Sequence, residues 1–173
     1  MLVTKAGLDL IKRFEGFRAE AYRCPKGVLT IGYGHTSMAG PPEVKAGQVI
    51  TRLEAERILA TDVGKFAKGV EKQLTVKLTP AQFSALVSFA YNVGLGNLRK
   101  SSVLKACNDH DFDAVPRRLL LWNKAGGRVL PGLTRRRAAE AQMFAETAAK
   151  NPEEPDAVER EPIDVPAGKT TLE

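Results

Sequence analysis

The sixteen residues TPAQFSALVSFAYNVG, Thr79 to Gly94, constrain the fold more than any other stretch of the 173-residue chain. Thr79 is followed by Pro80 and then by Gln82. The segment thus opens with a capping box and with a proline in the first turn, where a helix needs no N–H. Phe83, Leu86, Val87, Phe89, Ala90 and Val93 then cover most of the helix circumference. A helix that is apolar nearly all round has to be enclosed by others. The segment predicts the buried central helix of a helical lobe.

TRLEAERILATDVGKF repeats the device, with Thr51 as cap and Glu54 closing the box, and predicts a long helix over about 51–75. Helices are also expected near 101–107, 111–121 and 134–149, the middle one interrupted or started at Pro116. Upstream, Leu8, Ile11 and Phe14 recur at helical spacing behind Thr4, giving an amphipathic helix over 5–16 that ends at Gly16. Tyr22 to Cys24 and Val28 to Ile31 predict two short strands joined by Pro25-Lys26-Gly27, and Gln48 to Ile50 a third. The expected class is α+β, mostly helical. A small antiparallel-sheet lobe (about 15–60) should lead through a linking helix into a larger helical lobe (about 76–150) that also takes in the N-terminal helix.

Charge divides the chain. Residues 151–173 carry seven acids, two bases and four prolines, leaving 24 bases and 13 acids in residues 1–150, a net +11. The acidic, proline-rich end is expected to be a disordered tail. A body this basic points to an anionic partner such as nucleic acid, a membrane surface or a cell-wall polymer. Aromatics at 6% and the lack of a binding motif argue against nucleic acid. No apolar run approaches membrane-spanning length, and the spaced apolar residues at the start do not form a signal, so synthesis in the cytoplasm is expected. Cys24 and Cys107 are too few for a disulfide framework and lie at no zinc spacing. They read as thiols, and neither metal nor cofactor is expected.

FEGFRAEAYRCPKGVLTIGYGHTS, Phe14 to Ser37, concentrates the candidate chemistry. Glu15 falls in the last turn of the first helix, at the negative end of its dipole, a placement suited to a proton donor. Cys24 and Thr30 sit across the hairpin from each other. A proton donor, a soft nucleophile or base, and a hydroxyl positioner facing one cleft make a plausible hydrolytic set, alongside the plainer reading of a surface acid beside a hairpin. His35 is an obvious general base by titration range. Trp122, beside the glycine-rich turn of WNKAGGRVLPGLTRRR, suits either stacking on a sugar or a core position beneath the cleft. Arg135, Arg136 and Arg137 start a helix, where the dipole does not favour cations. They read as a solvated face or as attraction for an anionic polymer.

These residues resemble the phage-type lysozymes, the endolysins of glycoside hydrolase family 24. Members carry a glutamate, eight intervening residues, an aspartate or sometimes a cysteine, five more, then a threonine. Glu15, Cys24 and Thr30 stand at that spacing, within the frame Tyr22 and Thr30-Ile31-Gly32-Tyr33-Gly34-His35. VITRLEAERILATDV, FSALVSFAYNVG and WNKAGGRVLPGLTRRRAAE resemble later family segments in the same order, so the likeness runs over roughly residues 5–148.

The resemblance implies a two-lobed lysozyme-like fold whose cleft binds a peptidoglycan strand. It implies hydrolysis of the β-1,4 bond between N-acetylmuramic acid and N-acetylglucosamine. Glu15, Cys24 and Thr30 would be catalytic, with Tyr33, Gly34 and Trp122 as substrate contacts. It recasts His35 as a structural partner of Asp62 in ILATDV. It also implies a monomeric endolysin that waits in the host cytoplasm and reaches the periplasm through a holin-type pore, with no stable membrane insertion. Cys24 departs from the commoner aspartate: a thiol titrates near about 8.5 and an aspartate near about 3.9. Whether the thiol is nucleophile, base or water positioner stays open. So do a lytic transglycosylase, a muramidase used for local wall remodelling, and a wall-binding module without activity.

Overall fold

In a computed structural model, which describes residues 1–24 and 27–146, the chain opens with α1 (Lys5–Glu15). The Thr4 side chain accepts from the Gly7 N–H at 3.1 Å, and the Thr4 N–H donates to Ser84 Oγ at 2.9 Å. A Cβ on Gly7 would stand 2.6 Å from that of Ser84, so glycine is what lets α1 lie this close to the central helix.

An antiparallel hairpin follows, β1 (Arg18–Arg23) and β2 (Leu29–Gly32), pairing Tyr22 with Thr30 and Arg23 with Leu29. The expected third strand is only a bridge. Glu20 faces Val49, with backbone bonds from Ala21 N–H to Gln48 O (2.8 Å) and Ile50 N–H to Ala19 O (2.9 Å). The β1–β2 ladder itself shifts register between Arg18 and Tyr22. Of the expected turn, Gly27 has a φ of 77°, while Pro25 and Lys26 lie outside the described residues.

α2 (Arg52–Glu71) carries the full capping box, Glu54 N–H to Thr51 Oγ1 and Thr51 N–H to Glu54 Oε2 at 2.7 Å. It buries Ala55, Leu59, Val63, Ala67 and Val70 along one stripe. α3 (Pro80–Val93) has the second box and is buried without interruption from Gln82 to Ala90. It packs against α1, α2 and the last helix. Fully burying side chains such as Phe83, Leu86 and Phe89 stabilises by about 1.5–3 kcal/mol each.

The helical lobe continues with α4 (Leu95–Lys100), α5 (Ser102–Asn108), α6 (Ala114–Leu120) and α7 (Pro131–Ala145). The sequence signals predict neither helix α4 nor the two-residue-per-strand hairpin β3 (Lys124–Ala125) with β4 (Arg128–Val129). Pro116 falls in the first turn of α6, where its missing N–H costs nothing. Cys107 is wholly buried in this lobe, and desolvation pushes its thiol up to about 12. The acidic segment 151–173 lies outside the described residues.

Candidate active site

Helix α1 stops at Glu15 because Gly16 adopts a φ of 70° and returns its N–H to Lys12 O at 3.0 Å. The Glu15 side chain is 21% exposed, and its Oε1 accepts from Arg136 Nη1 at 2.7 Å. On the opposite side stands the turn after β2. A Cβ on Gly34, which has a φ of 91°, would lie 3.5 Å from Glu15 Oε2, so the bare backbone of that turn faces the carboxylate.

The turn is clamped at several points. Ile31 and His35 exchange both backbone bonds (2.9 and 3.0 Å), and Tyr91 donates its hydroxyl to Tyr33 O at 3.1 Å. Burial, then the negative charges of Glu15 and Asp62, push the Tyr91 hydroxyl far up, keeping it a neutral donor. His35 is 2% exposed: its Nδ1 lies 2.6 Å from Asp62 Oδ2 and its Nε2 2.8 Å from Pro42 O. The ring thereby joins the turn to α2 and to the loop before it, with no route to the cleft as a base.

Thr30, 4% exposed, pairs with Tyr22 and donates Oγ1 to Val28 O at 3.1 Å. Cys24 continues the ladder by one step, its N–H bonded to Val28 O at 3.0 Å. Alternation along the pleat puts Tyr22, Cys24 and Thr30 on the same face of the hairpin. Cys24 is half-buried and a thiol.

A cavity of about 580 Å³ opens at Glu15, lined among others by Phe14, Asn92, Leu130, Arg135 and Arg136. A separate, more apolar cavity between the N-terminus and α2 holds none of the candidate residues. Two expected substrate contacts point elsewhere. Tyr33 is buried, its ring 5.6 Å from that of Phe17 and its hydroxyl accepting from Arg52 Nη1 at 3.3 Å. Trp122 is half-buried and stands edge-on to Phe89 at 5.3 Å, on the core.

The arginine triplet is corrected more sharply. Only Arg135 is exposed; Arg136 and Arg137 are 3% and 0% exposed. They are neither a solvated face nor free to attract a polymer, because Glu140 on the next turn of α7 pairs with both, at 3.1 and 3.0 Å. Sequence reasoning missed Glu140, although its spacing of four and three residues from the two arginines was a usable signal. Among the described residues no cluster of His, Cys, Asp or Glu could hold a metal ion.

A family model described as phage lysozyme matches residues 12–140. The chain belongs to the phage lysozyme family. Within the family it is 44% identical over 153 residues to an endolysin of Bacillus phage B103, a match covering 87% of this chain. The chain spans only 57% of the length of that relative. Among solved structures, the endolysin from Escherichia coli O157:H7 phage FAHEc1 is 37% identical with a TM-score of 0.76, covering 84% of this chain and 94% of that one. The muramidase domain of SpmX from Asticaccaulis excentricus is 34% identical at the same TM-score, covering 83% and 97%. These likenesses establish the α+β, mostly helical, two-lobed lysozyme-like fold for this family member.

Proposed function

We propose that residues 1–150 form a peptidoglycan hydrolase, a muramidase that cleaves the β-1,4 bond between N-acetylmuramic acid and N-acetylglucosamine, acting as a phage endolysin. The observation that carries the reading is the placement of Glu15, a partly exposed carboxyl at a cavity mouth, held on one oxygen by Arg136 and faced on the other by Gly34. In this reading Glu15 gives its proton to the glycosidic oxygen as the bond to the anomeric carbon breaks. A water then supplies hydroxyl to that carbon and returns a proton to the site. Cys24 and Thr30 serve the attacking side as the Glu-Cys-Thr form of the family's catalytic set. Gly34 gives the sugar access to the acid, because no side chain stands between them.

The enzyme acts as a monomer on glycan strands and is released from the host cytoplasm through a holin-type pore. The endolysin relatives support the lysis role. Likeness to the SpmX muramidase domain favours a second one, local wall remodelling with the same chemistry.

Mass spectrometry of peptidoglycan digests tests the reaction. Reducing muramic ends are expected; anhydro ends would indicate a lytic transglycosylase, and no products a binding module. The thiol has its own test. Cys24→Ser is expected to lower the lysis rate on purified peptidoglycan by about 10²-fold, the scale of a positioned acid–base or nucleophilic group, whereas Cys24→Asp retains activity. Full activity in Cys24→Ser would remove the thiol from the mechanism.

A further inference from the structure

Every nitrogen of the Arg136 guanidinium is committed. Nη1 donates to Glu15 Oε1 at 2.7 Å, Nε to Glu140 Oε1 at 3.1 Å, and Nη2 to the Ser88 carbonyl at 3.2 Å. Glu140 is 0% exposed, and its Oε1 also accepts from Ser88 Oγ at 2.7 Å. Its Oε2 lies 3.0 Å from Arg137 Nε, though not aligned as a hydrogen bond. The Arg137 guanidinium stands 4.9 Å over the Phe89 ring and donates Nη2 to Asn92 Oδ1 at 2.8 Å. Two carboxyl groups and two guanidiniums thus form one cluster, without net charge when Glu15 is ionised, three members buried and Glu15 alone reaching the cleft.

Such a cluster is a poor way merely to fasten α7 to α3. Burial pushes the Glu140 carboxyl up and the Arg137 guanidinium down to about 10, both signs of a desolvation cost. An apolar set of similar volume would hold the helices equally well or better. What an ionic cluster adds is direction and charge at Glu15. Of the other charged and titratable groups on the elements packed against α7, Tyr91 on α3 is neutral, and Lys5, Asp9 and Arg13 on α1 are exposed and Lys12 half-buried. Arg117 and Arg118 are exposed on α6, and Arg135 is exposed on α7 itself. Asp62 on α2 acts on Tyr91 together with Glu15 and Arg136.

We propose that Glu140 is a positioning residue for the reaction: it fixes the plane of Arg136 against Glu15 and cancels one of the two buried positive charges behind it. This rests on the reading of Glu15 as proton donor. With Glu140 neutral, one uncompensated cation stands beside Glu15 and favours its carboxylate, so the acid is lost at a lower pH. With Arg137 neutral, the balance tips the other way.

The test is a kcat–pH profile on dye-labelled peptidoglycan. Glu140→Gln is expected to fold, to keep its KM within about twofold, to lose about tenfold in kcat, and to move the alkaline limb down by about one pH unit. Arg137→Gln should move the limb up, and the double variant should bring it back. A Glu140→Gln enzyme with the wild-type profile overturns the proposal. So does a kcat loss that follows only the folded fraction while the limb stays put. If Glu140→Gln does not fold, Arg137→Gln decides by itself, an unmoved limb again being fatal. A Glu15→Gln enzyme that stays active would overturn the proton-donor reading and this role with it. An inactive one beside an unmoved Glu140→Gln profile removes the positioning role alone.

Discussion

Glu15→Gln is expected to lower the rate of peptidoglycan hydrolysis by about 10²–10⁴-fold, the range for a positioned general acid, or roughly 3–5 kcal/mol of barrier. The substitution keeps the side chain's length and an oxygen for Arg136 to donate to, while it removes the transferable proton and the carboxylate charge paired with Arg136. Arg136 also keeps its bonds to Glu140 and the Ser88 carbonyl, so the cleft floor has no reason to rearrange. Loss of activity should therefore come with a Tm close to wild type and a KM little changed, which separates a chemical role from a structural one. Activity within tenfold of wild type would mean that another group delivers the proton, and none of the neighbours described around Glu15 is suited to do so. Arg136 is a permanent cation, Gly34 has no side chain, and the Tyr91 hydroxyl is held neutral and committed to Tyr33 O.

Local signals carried much of the fold. The two capping boxes need only residues three apart, and both exist with the expected partners. The apolar circumference of α3 translated directly into unbroken burial from Gln82 to Ala90. Helix α4 and the β3–β4 hairpin were not legible, since each is one or two turns of chain shaped by what surrounds it. The candidate site divides in the same way. Glu15 at the helix end and the hairpin register of Thr30 follow from short-range rules. Arg136 and Arg137 do not, because three successive arginines read as surface until Ser88 and Asn92 arrive from a helix some 45 residues earlier in the chain. Tyr33 and Trp122 show the limit from the other side: an aromatic ring beside a turn suits a sugar contact or a core position equally in sequence, and here the two rings pack against Phe17 and Phe89.

Asp62→Asn is expected to destabilise the protein by about 3–5 kcal/mol, the cost of removing one partner from a buried ion pair, and so to lower Tm by roughly 10 °C. Both side chains are nearly inaccessible, and both ring nitrogens of His35 face acceptors, the Asp62 carboxylate and the Pro42 carbonyl. Asparagine can offer His35 an oxygen, but without charge, and it places a new N–H₂ where Oδ1 now faces Lys65 at 3.4 Å. Lys65 also donates to Ala39 O, so the substitution disturbs the 3-10 turn (Ser37–Ala39) and the histidine together. The consequence should reach the cleft. His35 closes its backbone bridge with Ile31, which holds Gly34 against Glu15 and adjoins Thr30. Below the lowered Tm, a residual activity above about one-tenth of wild type is expected, because the acid and its arginine lie on α1 and α7, away from the loosened turn. Urea unfolding and lysis assays on the same preparation check both halves. A loss under about 1 kcal/mol would show that His35 is held by its neighbours rather than by charge, and complete inactivity in a folded variant would assign Asp62 a part in the chemistry itself.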